Sequence, residues 1–261
     1  VNNMSPLLWA TEKGVASVRL NRPTQLNALN ESMLVGLRDL FQHLRDDGAI
    51  RAVLLTGNGH GFCSGAELRN EALQECRDAG ELLRVFYHPV IREMRALPKP
   101  IVVAVNGAAA GAGMSIALAG DIILGSEAAS FCAAFSKIGL IPDAGSTFFL
   151  PRIVGEQRAR AIAMLADRID AQEAFRLGLL HKVVPSERLV PEAQALAQHL
   201  ARMPTTAFAL IKKALDASLS GSLDDQLELE AKLQSIASRT NDFREGAAAF
   251  IDKRIPVFTG S

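Results

Sequence analysis

Three short uncharged runs do most to limit what this chain can fold into. They are "AVLLTG" at Ala52 to Gly57, "IVVAV" inside "KPIVVAVNG" at 99–107, and "IILGS" inside "DIILGS" at 121–126. A strand covered on one face alternates apolar and polar residues. A strand covered on both faces reads as a continuous apolar run. Helical stretches separate the three runs, so parallel strands joined by crossovers are expected. "VASVRL" at Val15 to Leu20 supplies an earlier strand with the alternating pattern. Between it and "AVLLTG" lies "ESMLVGLRDLFQHLRDD". Its Met33, Leu34, Leu37, Leu40, Phe41 and Leu44 recur at helical spacing. The order strand, helix, strand, helix, strand, helix, strand is that of an α/β fold.

The rest of the chain divides at one point. A polar-apolar helical stretch covers about Leu73 to Leu97, and "AAAGAGMSIALAG" reads as a helix of small residues. "STFFLPRIVG" and "EQRARAIAMLAD" read as helices, and "AQEAFRLGLLHKVVP" as helix, turn and short strand. Strand signals end near Val184. From Leu189 onward every segment is helical. The expected organisation is therefore a core over 1–188 and a helical region over 189–261 that serves as an appendage or oligomerisation layer. There is no internal repeat and no low-complexity linker.

Charge and cysteine usage exclude several function classes. Lys+Arg and Asp+Glu both number 28, which leaves no global basic field to attract nucleic acid. Hydrophobic residues reach 49%, yet no stretch of about 18 residues is both uncharged and apolar throughout, so no membrane span is expected. "VNNMSPLLWATEKG" lacks the basic region and apolar core of a secretory signal. The cysteines are Cys63, Cys76 and Cys132, without the spacing of a disulfide framework or a zinc site. These features are those expected of a cytoplasmic protein with inert thiols. His60, His88, His181 and His199 show no ligand spacing, and no metal is expected.

Two glycine-rich turns, "GNGHGFCSG" and "NGAAAGAG", each follow a buried strand. Neither is a phosphate loop: the Gly-Lys-Ser/Thr of the Walker pattern is absent. "GFCSG" places Ser64 one position late for a nucleophile elbow. Cys63 reads as a small hydrophobe rather than as the partner of His60. Two bare turns can instead converge their backbone N–H groups into an oxyanion hole, or simply let a helix approach a sheet. Asp143, in "IPDAGST", is the carboxylate that calls for explanation. It suits a helix N-cap. With Phe135, Ile138, Leu140, Ile141, Phe148 and Phe149 around it in sequence, it also suits a base whose pKa burial raises. Glu67 and Asp121 read as structural carboxylates, and Met114 and Phe148 as core residues that could reach an acyl pocket.

The motifs "VRLNRPTQLNALN", "AVLLTGNGHGFCSGAEL", "KPIVVAVNGAAAGAGMSIALAGD", "FSKIGLIPDAGST" and "DFREGAAAFIDKR" occur in order along the chain. With them the sequence resembles the crotonase (enoyl-CoA hydratase/isomerase) family over nearly its whole length. The resemblance implies a spiral of ββα units with a helical C-terminal region that builds trimers, commonly paired into hexamers. It implies an acyl-CoA substrate and no cofactor beyond the coenzyme A that the substrate carries. By position it assigns the two oxyanion N–H groups to Ala66 and Ala112. Ser64, Gly65, Glu67 and Leu68, with the loop from Gln25 to Ala28, would line the path of the CoA moiety. Gly111, in the second turn, would line the substrate. Lys253 matches a position that reaches toward CoA phosphate, sometimes from a neighbouring subunit.

The departures from the family pattern are specific. Family hydratases carry glutamates where this chain has Ser115 and Phe135, which would instead line the substrate. Neither transfers a proton at neutral pH, and hydration needs both a base and an acid. Asp143 stands where hydratases usually have glycine. That pattern resembles the isomerase branch, most of all the isomerases that rearrange the ring epoxide of phenylacetyl-CoA. One carboxylate suffices for such chemistry. Two alternatives remain: a hydratase with nonstandard groups, and a CoA-binding scaffold that turns nothing over.

Overall fold

The computed structural model describes residues 5–67 and 78–261. Leu68, Cys76 and the start of the helix expected from Leu73 lie outside those residues. The main sheet has six strands. In chain order they are β1 (Leu7–Glu12), β2 (Val15–Leu20), β3 (Ala52–Gly57), β4 (Ile101–Val105), β6 (Ile122–Ser126) and β9 (Lys182–Val184), and they lie side by side in that order. β1 and β2 form an antiparallel hairpin; every later pairing in this sheet is parallel. A smaller sheet joins β5 (Ala108–Ala110), β7 (Ser130–Cys132) and β8 (Ile169–Asp170).

The three uncharged runs are continuous in sequence because both sides of them are covered. On β3, Val53 and Leu55 belong to the larger apolar core, while Ala52 and Leu54 belong to a second one. On β4, Val103 and Val105 face the first, and Val102 and Ala104 the second. Helix α1 (Glu31–Asp46) covers the larger core with the six residues its spacing picks out. Its N-terminus is capped by Asn30, whose side chain accepts the Met33 N–H at 3.0 Å.

The segment after the undescribed residues opens with α2 (Ala79–Leu82). It passes through a π turn at Leu83–Tyr87 and continues as α3 (His88–Ala96). Then come α4 (Ala112–Leu118), α5 (Ser146–Val154), α6 (Glu156–Leu165) and α7 (Ala171–Arg176). The last four helices are α8 (Ser186–Ala201), α9 (Thr205–Ala217), α10 (Leu223–Ala237) and α11 (Asn241–Asp252). The expected division at residue 188 falls inside α8. That helix lays Leu189, Ala193, Ala197 and Ala201 on the second face of the main sheet, so it closes the core. Among the described residues no helix is long and apolar enough to cross a membrane.

One expectation needs correction, and one strand was not anticipated. "AAAGAGMSIALAG" is not helical throughout: Ala108–Ala110 is strand β5, and the helix begins only at Ala112. Alanine is the best helix former, so three alanines in a row mislead a local reading. β1 also escapes the pattern. It is an edge strand with five of its six residues at least partly exposed, so it carries no period-2 signal.

Candidate active site

The two glycine-rich turns meet edge to edge. Cys63 pairs with Ala109 of β5: Cys63 N–H donates to Ala108 O at 3.0 Å, and Ala110 N–H to Cys63 O at 2.9 Å. Gly65 has φ +97°, and a Cβ there would stand 2.8 Å from Ala110 O and 3.6 Å from Ala112 N. Only glycine allows both that conformation and that approach. Gly113 is equally constrained, because a Cβ there would come within 2.2 Å of Cys63 O. The two readings of these turns are thus compatible: the small residues let α4 press onto the Cys63 loop, and the same contact brings Ala66 and Ala112 to one cavity. Ala112 is the first residue of its helix, so its N–H has no intrahelical acceptor. The Ala66 N–H has no backbone acceptor among the described residues.

A second layer of bonds fixes this edge. Ser64 N–H donates to Leu26 O at 2.9 Å, Leu29 N–H to Gly65 O at 2.8 Å, and Glu67 N–H to Leu29 O at 2.9 Å. The Ser64 hydroxyl donates to Gln25 O at 3.2 Å. Arg22 clamps the two loops, with one guanidinium N–H on Ala28 O at 2.6 Å and an ion pair to Glu67 at 2.8 Å. Asn27 is fully buried; its amide donates to Asn58 O and Gly61 O, and its oxygen accepts the Arg22 N–H. Gln25, Ala28 and Glu67 therefore brace the rim and are not part of the cavity wall.

The cavity has a volume of about 190 Å³. Ser64, Gly65, Ala66, Gly111, Ala112, Phe135 and Asp143 all line it, which brings together most of the residues singled out in the sequence. Ile138 and Leu140 line it too, whereas Ile141 is 78% exposed and Phe148 turns outward under the Arg152 guanidinium. Met114 is buried in the core. Lys253 is exposed at the C-terminal cap of α11 and does not reach the cavity of its own chain.

Asp143 does not cap α5. The cap position is Gly145 and no side chain bonds there. It is the Asp143 backbone carbonyl that takes part, accepting the Ser146 N–H at 2.9 Å. The carboxyl is left free for the cavity: Oδ1 is buried and has no hydrogen-bond partner among the described residues. Burial pushes its pKa from an ordinary 3.8 to about 6. Such a group can take a proton from a weak carbon acid and give it back.

Ser115 is placed differently from the expectation that it lines the substrate. It is fully buried and absent from the cavity wall. Its hydroxyl donates to Asp143 O at 2.9 Å and lies 2.7 Å from the Ser146 hydroxyl. It holds the turn that presents Asp143.

Sequence reasoning missed Tyr87 and Arg22. Tyr87 lines the cavity and is 8% exposed. Burial and the nearby Asp143 raise its phenol pKa. Its only available sequence signal was being the sole tyrosine of the chain. Cys63 is fully buried, and burial pushes its thiol up to about 12, which suits a packing residue. Asp121 is structural as expected, accepting the Ile101 N–H at 2.8 Å and pairing with Lys212 at 2.9 Å. Among the described residues no group of His, Cys, Asp and Glu is placed to hold a metal ion.

The sheet order and the paired glycine turns define a crotonase-type α/β spiral with its cavity where the two turns meet. Residues 10–261 match the family described as Enoyl-CoA hydratase/isomerase, and the chain belongs to that family. It is 44% identical over 260 residues to the 1,2-epoxyphenylacetyl-CoA isomerase of Escherichia coli (strain K12), covering 98% of this chain and 99% of that protein. It is 46% identical over 252 residues to a protein of Rhodobacter capsulatus described as "Probable enoyl-CoA hydratase", covering 97% of each. The crystal structure of an enoyl-CoA hydratase from Bacillus anthracis superposes with a TM-score of 0.93 at 31% identity, over 98% of this chain and all of that one.

Proposed function

We propose that this protein is an acyl-CoA isomerase in which Asp143 is the single acid/base. The observation that carries the reading is the buried Asp143 Oδ1, without a partner among the described residues, on the wall of the cavity that Ala66 and Ala112 also line. A thioester carbonyl set between the Ala66 and Ala112 N–H groups would bear the negative charge of an enolate. Asp143 removes the α proton, the charge spreads through the conjugated system, and the same carboxyl returns the proton at the γ carbon. The double bond moves and nothing is gained or lost. With a ring epoxide on the acyl group, the C–C bond shared by oxirane and ring breaks as the ring expands to an oxepin, with the proton returned to a ring carbon. The similarity to the E. coli isomerase supports this second substrate.

The reading calls for no metal and no cofactor beyond the coenzyme A of the substrate. The rim from Gln25 to Ala28 and from Ser64 to Glu67 would follow the CoA moiety. Exposed apolar residues on the C-terminal helices, among them Leu215, Leu223 and Phe250 at 66%, 73% and 86%, suit a surface covered by further copies, as a trimer or a pair of trimers. Lys253 would then serve a neighbour's site. A cytoplasmic location fits the acyl-CoA substrate.

Hydration is the second reading, favoured by the similarity to the R. capsulatus protein. The test is a paired assay of wild type and Asp143→Asn. Each is given a 3-enoyl-CoA, a trans-2-enoyl-CoA and the ring epoxide of phenylacetyl-CoA, with products followed by mass. Wild type is expected to isomerise and the variant to be inactive. Water addition by both proteins would show that the assignment of Asp143 is wrong. Ligand binding without turnover of any substrate would point to the scaffold.

A further inference from the structure

Two polar groups face this cavity without bonding to each other. Asp143 Oδ1 is buried without a partner among the described residues; the Tyr87 hydroxyl bonds to none of them either, but it is not sealed from the cavity. Yet Tyr87 is more than nine-tenths buried and lies near enough for Asp143 to act on its phenol electrostatically. A hydroxyl that opens on the cavity and that no described residue bonds is available to a ligand oxygen there. The surrounding wall is apolar: Leu82, Leu83, Phe135, Ile138 and Leu140. The phenol hangs from the last residue of the π turn, a local widening of the helix often associated with functional sites. On the acyl-CoA reading, the thioester oxygen is met by the backbone N–H groups of Ala66 and Ala112, not by Tyr87.

We infer that the Tyr87 hydroxyl is a hydrogen-bond donor for an oxygen carried by the acyl group itself, beyond the thioester, and so selects oxygenated acyl-CoA substrates such as epoxides over plain hydrocarbon ones. This rests on the acyl-CoA reading of the cavity. The phenol donates a hydrogen bond and keeps its proton, in line with its raised pKa. A site built to bond a substrate oxygen discriminates because its donor is left unpaired when that oxygen is missing.

The experiment compares Tyr87→Phe with wild type on two substrates, a 3-enoyl-CoA of hydrocarbon chain and the ring epoxide of phenylacetyl-CoA. Removing one hydrogen bond is expected to lower kcat/KM for the epoxide about tenfold or more, with little change for the hydrocarbon substrate. An equal loss on both substrates, or no loss on the epoxide, would overturn the inference. A second measurement needs no substitution. Tyr87 is the only tyrosine, so growth on 3-fluorotyrosine labels this position alone. Its ¹⁹F resonance is expected to move when an oxygenated acyl-CoA analogue binds and to move less with the hydrocarbon analogue. Identical shifts with both refute the proposal even if Tyr87→Phe folds poorly. Asp143→Asn assayed on the hydrocarbon substrate tests the underlying reading separately. Undiminished turnover there refutes the role of Asp143 without touching the comparison between substrates.

Discussion

The buried carboxyl of Asp143, whose Oδ1 has no partner among the described residues, makes a prediction about stability as well as rate. Its pKa is raised from 3.8 to about 6 by burial. Between those values the folded protein holds a proton that the unfolded chain has released, so stability falls as pH rises through this window. Above it, the ionised carboxylate costs the fold about 3 kcal/mol relative to an exposed one. Asp143→Asn removes the charge and keeps the shape, although its amide brings polar groups of its own. The variant is therefore expected to be more stable than wild type by about 1–3 kcal/mol at pH 8, with the gap closing toward pH 4. Urea unfolding at both pH values, at one fixed chain concentration, measures this. With Asp143 as the proposed acid/base, the wild-type rate is expected to follow the same group. About one-tenth of the carboxyl is ionised at pH 5 with a pKa near 6, against more than about nine-tenths at an ordinary 3.8. So kcat/KM is expected to fall about tenfold from its plateau by pH 5. A variant no more stable than wild type at pH 8, together with a flat rate profile from pH 5 to 8, would refute the claim that burial sets this group's behaviour.

Three further outcomes follow from the same geometry. Ser115→Ala removes the hydroxyl that bonds Asp143 O and meets Ser146. Stability is expected to drop by about 1–2 kcal/mol and kcat about tenfold, because the carboxyl is no longer held in place; calorimetry and steady-state kinetics check the two effects. Gly65→Ala puts a Cβ 2.8 Å from Ala110 O at φ +97°. Activity is expected to be lost and the melting temperature to fall, while Gly48→Ala, with open space around it, serves as a tolerated control. Cys63, with its thiol pushed up to about 12, is expected to resist alkylation at pH 8 until the protein unfolds, as read by site-resolved mass spectrometry.

What the sequence reveals here depends on how far apart the cooperating atoms lie along the chain. The face of α1 is legible because six apolar residues repeat within one helix. The continuous apolar strands are legible because burial on both faces is a local property of each run. β5, β7 and β8 are two or three residues long, too short for any period to show, and they form only because strands from distant segments pair with them. Asp143 could be singled out as a charge among apolar neighbours. Its free carboxyl could not, since that depends on the backbone, not the side chain, meeting Ser146. Ser115 illustrates the same limit. Its position matched a substrate-lining residue, but its partners, Asp143 and Ser146, lie 28 and 31 residues away and turn it toward the loop. Tyr87 carries no local pattern at all; only the folded cavity sets it near Asp143.

The titratable side chains on the cavity wall bear on the choice between isomerisation and hydration. Hydration needs a base to activate water and a separate acid to protonate the α carbon. Among the described wall residues only Asp143 and Tyr87 can exchange a proton near neutrality or above it. Tyr87 is a poor acid, because burial and the Asp143 charge both raise its pKa. Its phenol holds its proton at the pH where Asp143 is ionised. One carboxyl that takes a proton and returns it to the same substrate needs no second acid. Isomerisation therefore asks less of this cavity than hydration does. The same asymmetry predicts the effect of restoring a second carboxylate. Phe135 lines the wall beside Gly111, so Phe135→Glu would face Asp143 across a small apolar space and raise its pKa further. The expected result is a double-bond shift whose pH profile moves upward and whose plateau rate falls. Gain of water addition in that variant, measured on a trans-2-enoyl-CoA, would show that the wild type lacks only the second acid and that the site is otherwise shaped for hydration.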